Sequence, residues 1–140
     1  MASSVYFMRW MDLYATGIES IDRQHESLTT LLNCLNDSFR GGKSHDILLF
    51  RLDQFIEAAE EHFQAEEELM AERAYPGLDA HRAEHDFLAG QVADYRERFA
   101  KGEEGFTESM LDFLRDWLRD HILISDRRMS RFLRGESATA

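Results

Sequence analysis

The 140 residues carry 27 acidic against 16 basic side chains, a formal net charge of −11, and 44% of them are hydrophobic. Such acidity repels nucleic acid and anionic membrane, so neither is expected as a partner, and the length suits a single domain over residues 1–140. No apolar run reaches the length of a membrane span and the start MASSVYFMRW lacks a signal peptide's build, while the one cysteine, Cys34, cannot form an internal disulfide; a cytoplasmic chain without membrane insertion is expected.

Residues 1–18 read as an irregular arm, with Trp10, Leu13 and Ile18 as anchors onto the core. A first helix is expected from about Ser20 to Arg40, striped with His25, Leu28, Leu31, Leu32, Leu35 and Phe39 and ended by Gly41-Gly42. Cys34 falls about 180° from His25 and faces away. The second helix opens at Ser44, a good N-cap, and runs to about Ala74. Its inward stripe is Leu48, Leu52, Phe55, Ala59, His62, Glu66 and Leu69 or Met70, which leaves Glu67 and Glu68 pointing away and His45 on the surface. Tyr75-Pro76-Gly77 breaks the chain.

A third helix follows over about Leu78–Ala100, with Leu78, His81, His85, Leu88, Val92, Tyr95 and Phe99 on one face. After a loop with Gly102 and Gly105, a fourth runs from about Thr107 to Leu133, with Met110, Leu114, Trp117, Leu118, His121 and Ile124 inward. The tail from Gly135 is expected to fray. One proline, no strand pattern and short connections point to an all-α fold, an antiparallel up-down-up-down four-helix bundle with an irregular N-terminal arm.

Five of the six histidines fall on inward stripes, and all four helices contribute. One buried imidazole needs only a hydrogen bond, but five facing one another call for a shared ligand, and neutral imidazole binds metals well. His62-x-x-x-Glu66 and His81-x-x-x-His85 each place two donors on one helix face about 6 Å apart. Asp126 sits five residues past His121, about 140° off its face, so the helix must widen or the side chain must reach back. The residues alone leave the role of Asp126 open. Seven nitrogen and oxygen donors are too many for one zinc and too rich in nitrogen for calcium. Two octahedral ions sharing two carboxylates fit the count, and imidazole-rich ligation suits iron.

The pattern His25, His62-x-x-x-Glu66, His81-x-x-x-His85, His121-x-x-x-x-Asp126 resembles that of hemerythrins, and most closely single-domain bacteriohemerythrins, over about residues 10–133. Supporting segments are Trp10, Gly17 to His25, Tyr75-Pro76 and Trp117 to Ile122. The five-residue step to Asp126 is the family's own spacing. The resemblance implies two non-heme iron ions, one held by His81, His85 and His121, the other by His25 and His62. Glu66 and Asp126 would bridge them together with an oxo or hydroxo group. It implies reversible dioxygen binding at the iron that is one ligand short, with two electrons drawn from the irons and a proton from the bridge. Leu28, Phe63, Trp117, Leu118, Ile122 and Leu123 would wall the oxygen pocket. Met129 departs from the tyrosine frequent in relatives, so any hydrogen bond from that tyrosine is lost here. Gln24, Asp22 and Glu84 are candidates to hold ligand imidazoles from behind, although Asp22 and Glu84 read first as surface acids.

The expected role is oxygen storage, delivery or buffering by a monomer, with an oxygen-consuming protein as a possible recipient. A sensor acting through a partner and a di-iron enzyme acting on peroxide or nitric oxide are the alternatives. Ferritin-like di-iron proteins use Glu-x-x-His motifs, whereas the residues three before the five histidines are Asp22, Ala59, Leu78, Arg82 and Leu118. A non-enzyme is therefore expected, and Cys34 is expected to be inert.

Overall fold

The structure, a computed structural model, describes residues 7–135. Within them α1 (Glu19–Arg40), α2 (His45–Glu72) and α3 (Leu78–Ala100) precede a fourth rod made of α4 (Glu108–Asp120), a π-helical segment (His121–Asp126) and α5 (Arg127–Leu133). The described residues contain no strand, and α1 packs on α2, α2 on α3 and α4 on α1. This is the expected four-helix bundle. None of its helices is long and apolar enough to cross a membrane.

Local chemistry sets the helix ends. Ser44 Oγ accepts from Ile47 N at 3.3 Å, the expected N-cap of α2, and Thr107 Oγ1 accepts from Met110 N at 3.2 Å to cap α4. At the C-terminus of α1, Lys43 N donates to Ser38 O at 3.0 Å around Gly42, whose φ is +67°. The C-terminus of α2 closes in the same way, with Tyr75 N donating to Met70 O at 2.9 Å, but the left-handed position is Ala74, at φ +53°. The helix therefore ends at Glu72, two residues before the sequence-based boundary, and this turn starts the reversal into α3. A methyl group at that φ costs about 1–2 kcal/mol, against which glycine's extra freedom in the unfolded chain costs about 0.4–1 kcal/mol. Ala74→Gly is expected to stabilise the protein by about 0.5–1 kcal/mol, read as a higher urea midpoint with unchanged slope.

The interior contains two apolar layers. The larger includes Leu28, Leu32 and Leu35 of α1, Leu52 and Phe55 of α2, Leu88 and Val92 of α3, and Leu111, Leu114 and Leu118 of α4. The smaller gathers Ile21, Met70, Tyr75, Met129 and Leu133. Along every rod the histidines lie between the two: Ile21, His25, Leu28 on α1, and Leu118, His121, Asp126, Met129 on the fourth. Met129 is 0% exposed, so this position of the smaller layer is filled by an apolar side chain.

Two residues expected to face inward, Leu13 and Ile124, face out. Leu13 is 55% exposed; a single 3₁₀ turn at Asp12–Tyr14 swings it out and buries Tyr14 instead, with Trp10 against the Tyr14 ring at 5.6 Å. The arm is fastened by Met8 and Asn33, which exchange two hydrogen bonds at 2.8 and 2.7 Å. Ile124 is 57% exposed, because the wider π winding turns through fewer degrees per residue and a position three past His121 falls short of the inward face. Met110 packs partly buried on the core, as Trp117 does, and Leu111 beside it in the chain is fully buried although the expected stripe omits it. Trp10 and Ile18 pack on the core as expected, Cys34 is half-buried, and most of the tail lies outside the described residues.

Candidate metal centre

His25 from α1, His62 and Glu66 from α2, His81 and His85 from α3, and His121 and Asp126 from the π-helical segment meet in one layer, all at 3% exposure or less. Their donor atoms divide into two groups. Glu66 Oε1 lies 3.1 Å from both His81 Nε2 and His85 Nε2, whereas Oε2 lies 3.0 Å from His62 Nε2. Asp126 Oδ1 lies 2.9 Å from His81 Nε2 and 3.0 Å from His121 Nε2, whereas Oδ2 lies 2.7 Å from His25 Nε2. Each carboxylate thus gives one oxygen to a three-histidine group and the other to a two-histidine group.

Asp126 reaches this layer because the fourth rod widens at His121–Asp126. In i→i+5 winding a residue five positions on returns over the first, which α-helical winding would place far round the rod. Of the two routes the sequence left open, the chain uses the widened helix.

His85 Nδ1 faces Glu67 Oε2 at 2.9 Å and His121 Nδ1 faces Glu84 Oε1 at 3.2 Å, so each Nδ1 donates to a carboxylate. His62 Nδ1 similarly donates to Gln24 Oε1 at 2.6 Å. In neutral rings with that tautomer, the inward Nε2 atoms are bare lone pairs. Yet His85 Nε2 and His121 Nε2 are only 3.1 Å apart, as are His25 Nε2 and His62 Nε2. Glu66 Oε2 and Asp126 Oδ1 are buried and make no aligned hydrogen bond despite these short approaches. Lone pairs aimed at a common point, with two carboxylates among them, are the donor set of a cation site. The residues fit a metal in each group.

Without a metal, protons must fill that role. Burial pulls the His62 imidazole down, but the Glu66 charge and hydrogen bonds to both carboxylates outweigh it and raise it to about 9. His81 is raised to about 8 by the same opposition of burial against Asp126 and Glu66. Burial pushes the two carboxyls up, and for Asp126 the Glu66 charge adds to this, yet the surrounding imidazoles hold both well below the ordinary range. His25 and His121 are raised as well.

Residues 16–133 match the family model described as the hemerythrin HHE cation binding domain. The chain is 35% identical to the bacteriohemerythrin of Methylococcus capsulatus over 109 residues, 78% of this chain and 82% of that one. The chain belongs to the hemerythrin family. The bacteriohemerythrin of Pseudomonas paraeruginosa is 32% identical over 117 residues, 84% of this chain and 75% of that protein. A crystal structure of wild-type hemerythrin superposes with a TM-score of 0.87 at 32% identity, covering 91% of this chain and 98% of that one.

In this hemerythrin fold the aromatic residues named from the sequence lie against the imidazoles. Phe63 stacks on His85 with centroids 4.0 Å apart, and Trp117 stacks on His121 at 4.5 Å. Leu28, Leu118 and Ile122 are buried in the adjoining apolar layer, and Trp117 and Leu123 are partly buried against it. Asp22 holds no imidazole; its carboxylate accepts from Thr16 N and Oγ1, both at 2.7 Å, and ties down the arm. Glu84, read first as a surface acid, holds His121. Hydrogen bonds to His121 and Ser125 outweigh partial burial and lower its carboxyl to about 2. Glu67 was expected to point away, but it reaches His85 across the α2–α3 interface. No spacing within α2 signals that contact; it depends on how α3 is set against α2. Ser125, which donates to Glu84, was missed for the same reason. His45 is on the surface, with its Nε2 2.8 Å from Phe99 O.

Proposed function

We propose that the chain binds dioxygen reversibly at a non-heme pair of irons, and that it stores, delivers or buffers oxygen. The observation that carries this is the unequal division of donors: three histidine nitrogens in one group, two in the other, and one oxygen of each carboxylate in both. In this reading His81, His85 and His121 hold one iron, His25 and His62 hold the other, and Glu66 and Asp126 span them. When bound, the iron pair supplies the electrons that dioxygen accepts reversibly. The chain's part is to leave one position on the two-histidine side without a side-chain ligand and to keep water and protons away from it. Phe63, Leu28, Leu118, Ile122, Trp117 and Leu123 do this as an apolar wall. In the same proposal residues 1–140 form one domain, working in the cytoplasm as a monomer that passes oxygen to a consuming protein.

The test is anaerobic reduction of the iron-loaded protein, exposure to O2, and an iron count with optical spectra. Two irons per chain and a visible charge-transfer band that appears with O2 and vanishes on its removal are expected. Irreversible oxidation with product turnover would replace the carrier reading with the enzyme.

A further inference from the structure

The imidazoles are held from behind by side chains of unequal charge. On the three-histidine side, His85 donates to Glu67 at 2.9 Å and His121 to Glu84 at 3.2 Å. On the two-histidine side, His62 donates to the neutral amide of Gln24 at 2.6 Å, and His25 Nδ1 is buried with no hydrogen-bond partner. Glu84 is fixed in turn by Ser125, whose hydroxyl lies 2.6 and 2.7 Å from its two oxygens. Ser125 lies in the π-helical segment, next to Asp126 in the chain, so the widened stretch supplies both a carboxylate to the centre and a clamp behind His121. Glu67 also meets Arg82 at 3.2 Å, which offsets part of its charge; the hydroxyl clamp on Glu84 is neutral.

We propose that Glu84, assisted by Glu67, is a positioning residue that adds to the inequality of the two metal positions beyond what the donor count sets. The metal held by His81, His85 and His121 is then the more firmly retained and the more easily oxidised of the pair. A carboxylate accepting the outer N–H of a ligand imidazole raises the basicity of the ring and favours a more highly charged metal, which a neutral amide does only weakly. This inference rests on the two-iron reading above.

The test compares the iron-loaded full chain with its Glu84→Gln, Glu67→Gln and Gln24→Glu variants. The readouts are the rate at which each iron passes to a competing chelator and the midpoint potential of the first one-electron oxidation. Glutamine keeps the shape and an acceptor oxygen, so melting of the variants checks that packing is intact. Wild type is expected to lose one iron well before the other. Glu84→Gln should make the slower iron leave about 10–100-fold faster. A loss that falls ten- to a hundredfold harder on the higher oxidation state raises the first midpoint potential by about 60–120 mV, at 59 mV per decade. Glu67→Gln should act in the same direction with a smaller effect, and Gln24→Glu should slow the faster iron. The proposal is overturned if both irons leave wild type together, or if Glu84→Gln moves neither rate nor potential. A merely structural role for Glu84 would alter melting and leave the potential in place, which also overturns it. Two unequal irons with no reversible oxygen band would support the inequality and sink oxygen binding alone. A chain that never holds two irons would sink both.

Discussion

Asp126→Asn is expected to strip both metal positions, whereas His62→Ala is expected to strip only one. Asp126 is 0% exposed and its two oxygens serve different groups, Oδ2 at 2.7 Å from His25 Nε2 and Oδ1 at 2.9 Å from His81 Nε2. Asparagine keeps one oxygen, replaces the other with an amide that cannot ligate, and removes a negative charge facing two cations. Breaking a buried charge pair by removing one partner costs about 3–5 kcal/mol. At 1.4 kcal/mol per decade that is a loss of roughly two to three and a half orders of magnitude in affinity. The metal-free variant loses the Asp126 carboxylate that its imidazoles share protons with, but it keeps both apolar layers, so it should fold with a lower melting temperature than the stripped wild type, and circular dichroism checks this. His62 by contrast is a neutral donor to one group, so His62→Ala should retain the metal of His81, His85 and His121 while losing the oxygenated spectrum. Metal counts after gel filtration decide the matter. Two ions retained in Asp126→Asn, or an unchanged oxygenated spectrum in His62→Ala, would contradict the assignment.

The contrast between those two residues also shows which parts of the site were legible in the sequence. His25, His62, His81 and His85 sit in phase with leucines on uninterrupted α-helices, so counting by 3.6 residues places them on the inward face. Asp126 could not be placed that way. The counting rule assumes uniform winding, and the winding changes at His121, which both turns Asp126 inward and turns Ile124 out to 57% exposure. The five-residue spacing identified the conflict without identifying its resolution. Glu67 and Ser125 were invisible for a different reason: each acts on a residue of another helix or through one, and a single helix's periodicity carries no information about its neighbour's axial offset. The bundle itself was readable because its stripes are long; the outer partners were not, because each is one contact across an interface.

The same layer of donors makes removal of the metals the largest expected change in stability, and gives that change a pH dependence of definite sign. A ligand bound only by the folded state at 1,000 times its dissociation constant stabilises by about 4 kcal/mol. At roughly 3–4 °C per kcal/mol for a domain of this size, stripping the metals should lower the melting temperature by roughly 10–20 °C. In the stripped protein, His62 at about 9 and His81 at about 8 lie above the ordinary value of 6.5. Their contribution is complete below pH 6.5 and is lost as pH rises through 8 and 9, at up to about 1.4 kcal/mol per pH unit per proton. Glu66 and Asp126, held below ordinary values of 4.5 and 3.8, contribute above those values and lose it only as pH falls through their folded values. The stripped protein should therefore be most stable between about pH 4.5 and 6.5. In the loaded protein metals occupy the positions of the protons, so the fall in stability from pH 6.5 to 9 is absent. The gap between loaded and stripped melting temperatures should widen across that window and close on acidification, as protons displace the metals. Melting curves that stay parallel from pH 6 to 9 would show that the imidazoles and carboxylates do not share protons in the stripped protein.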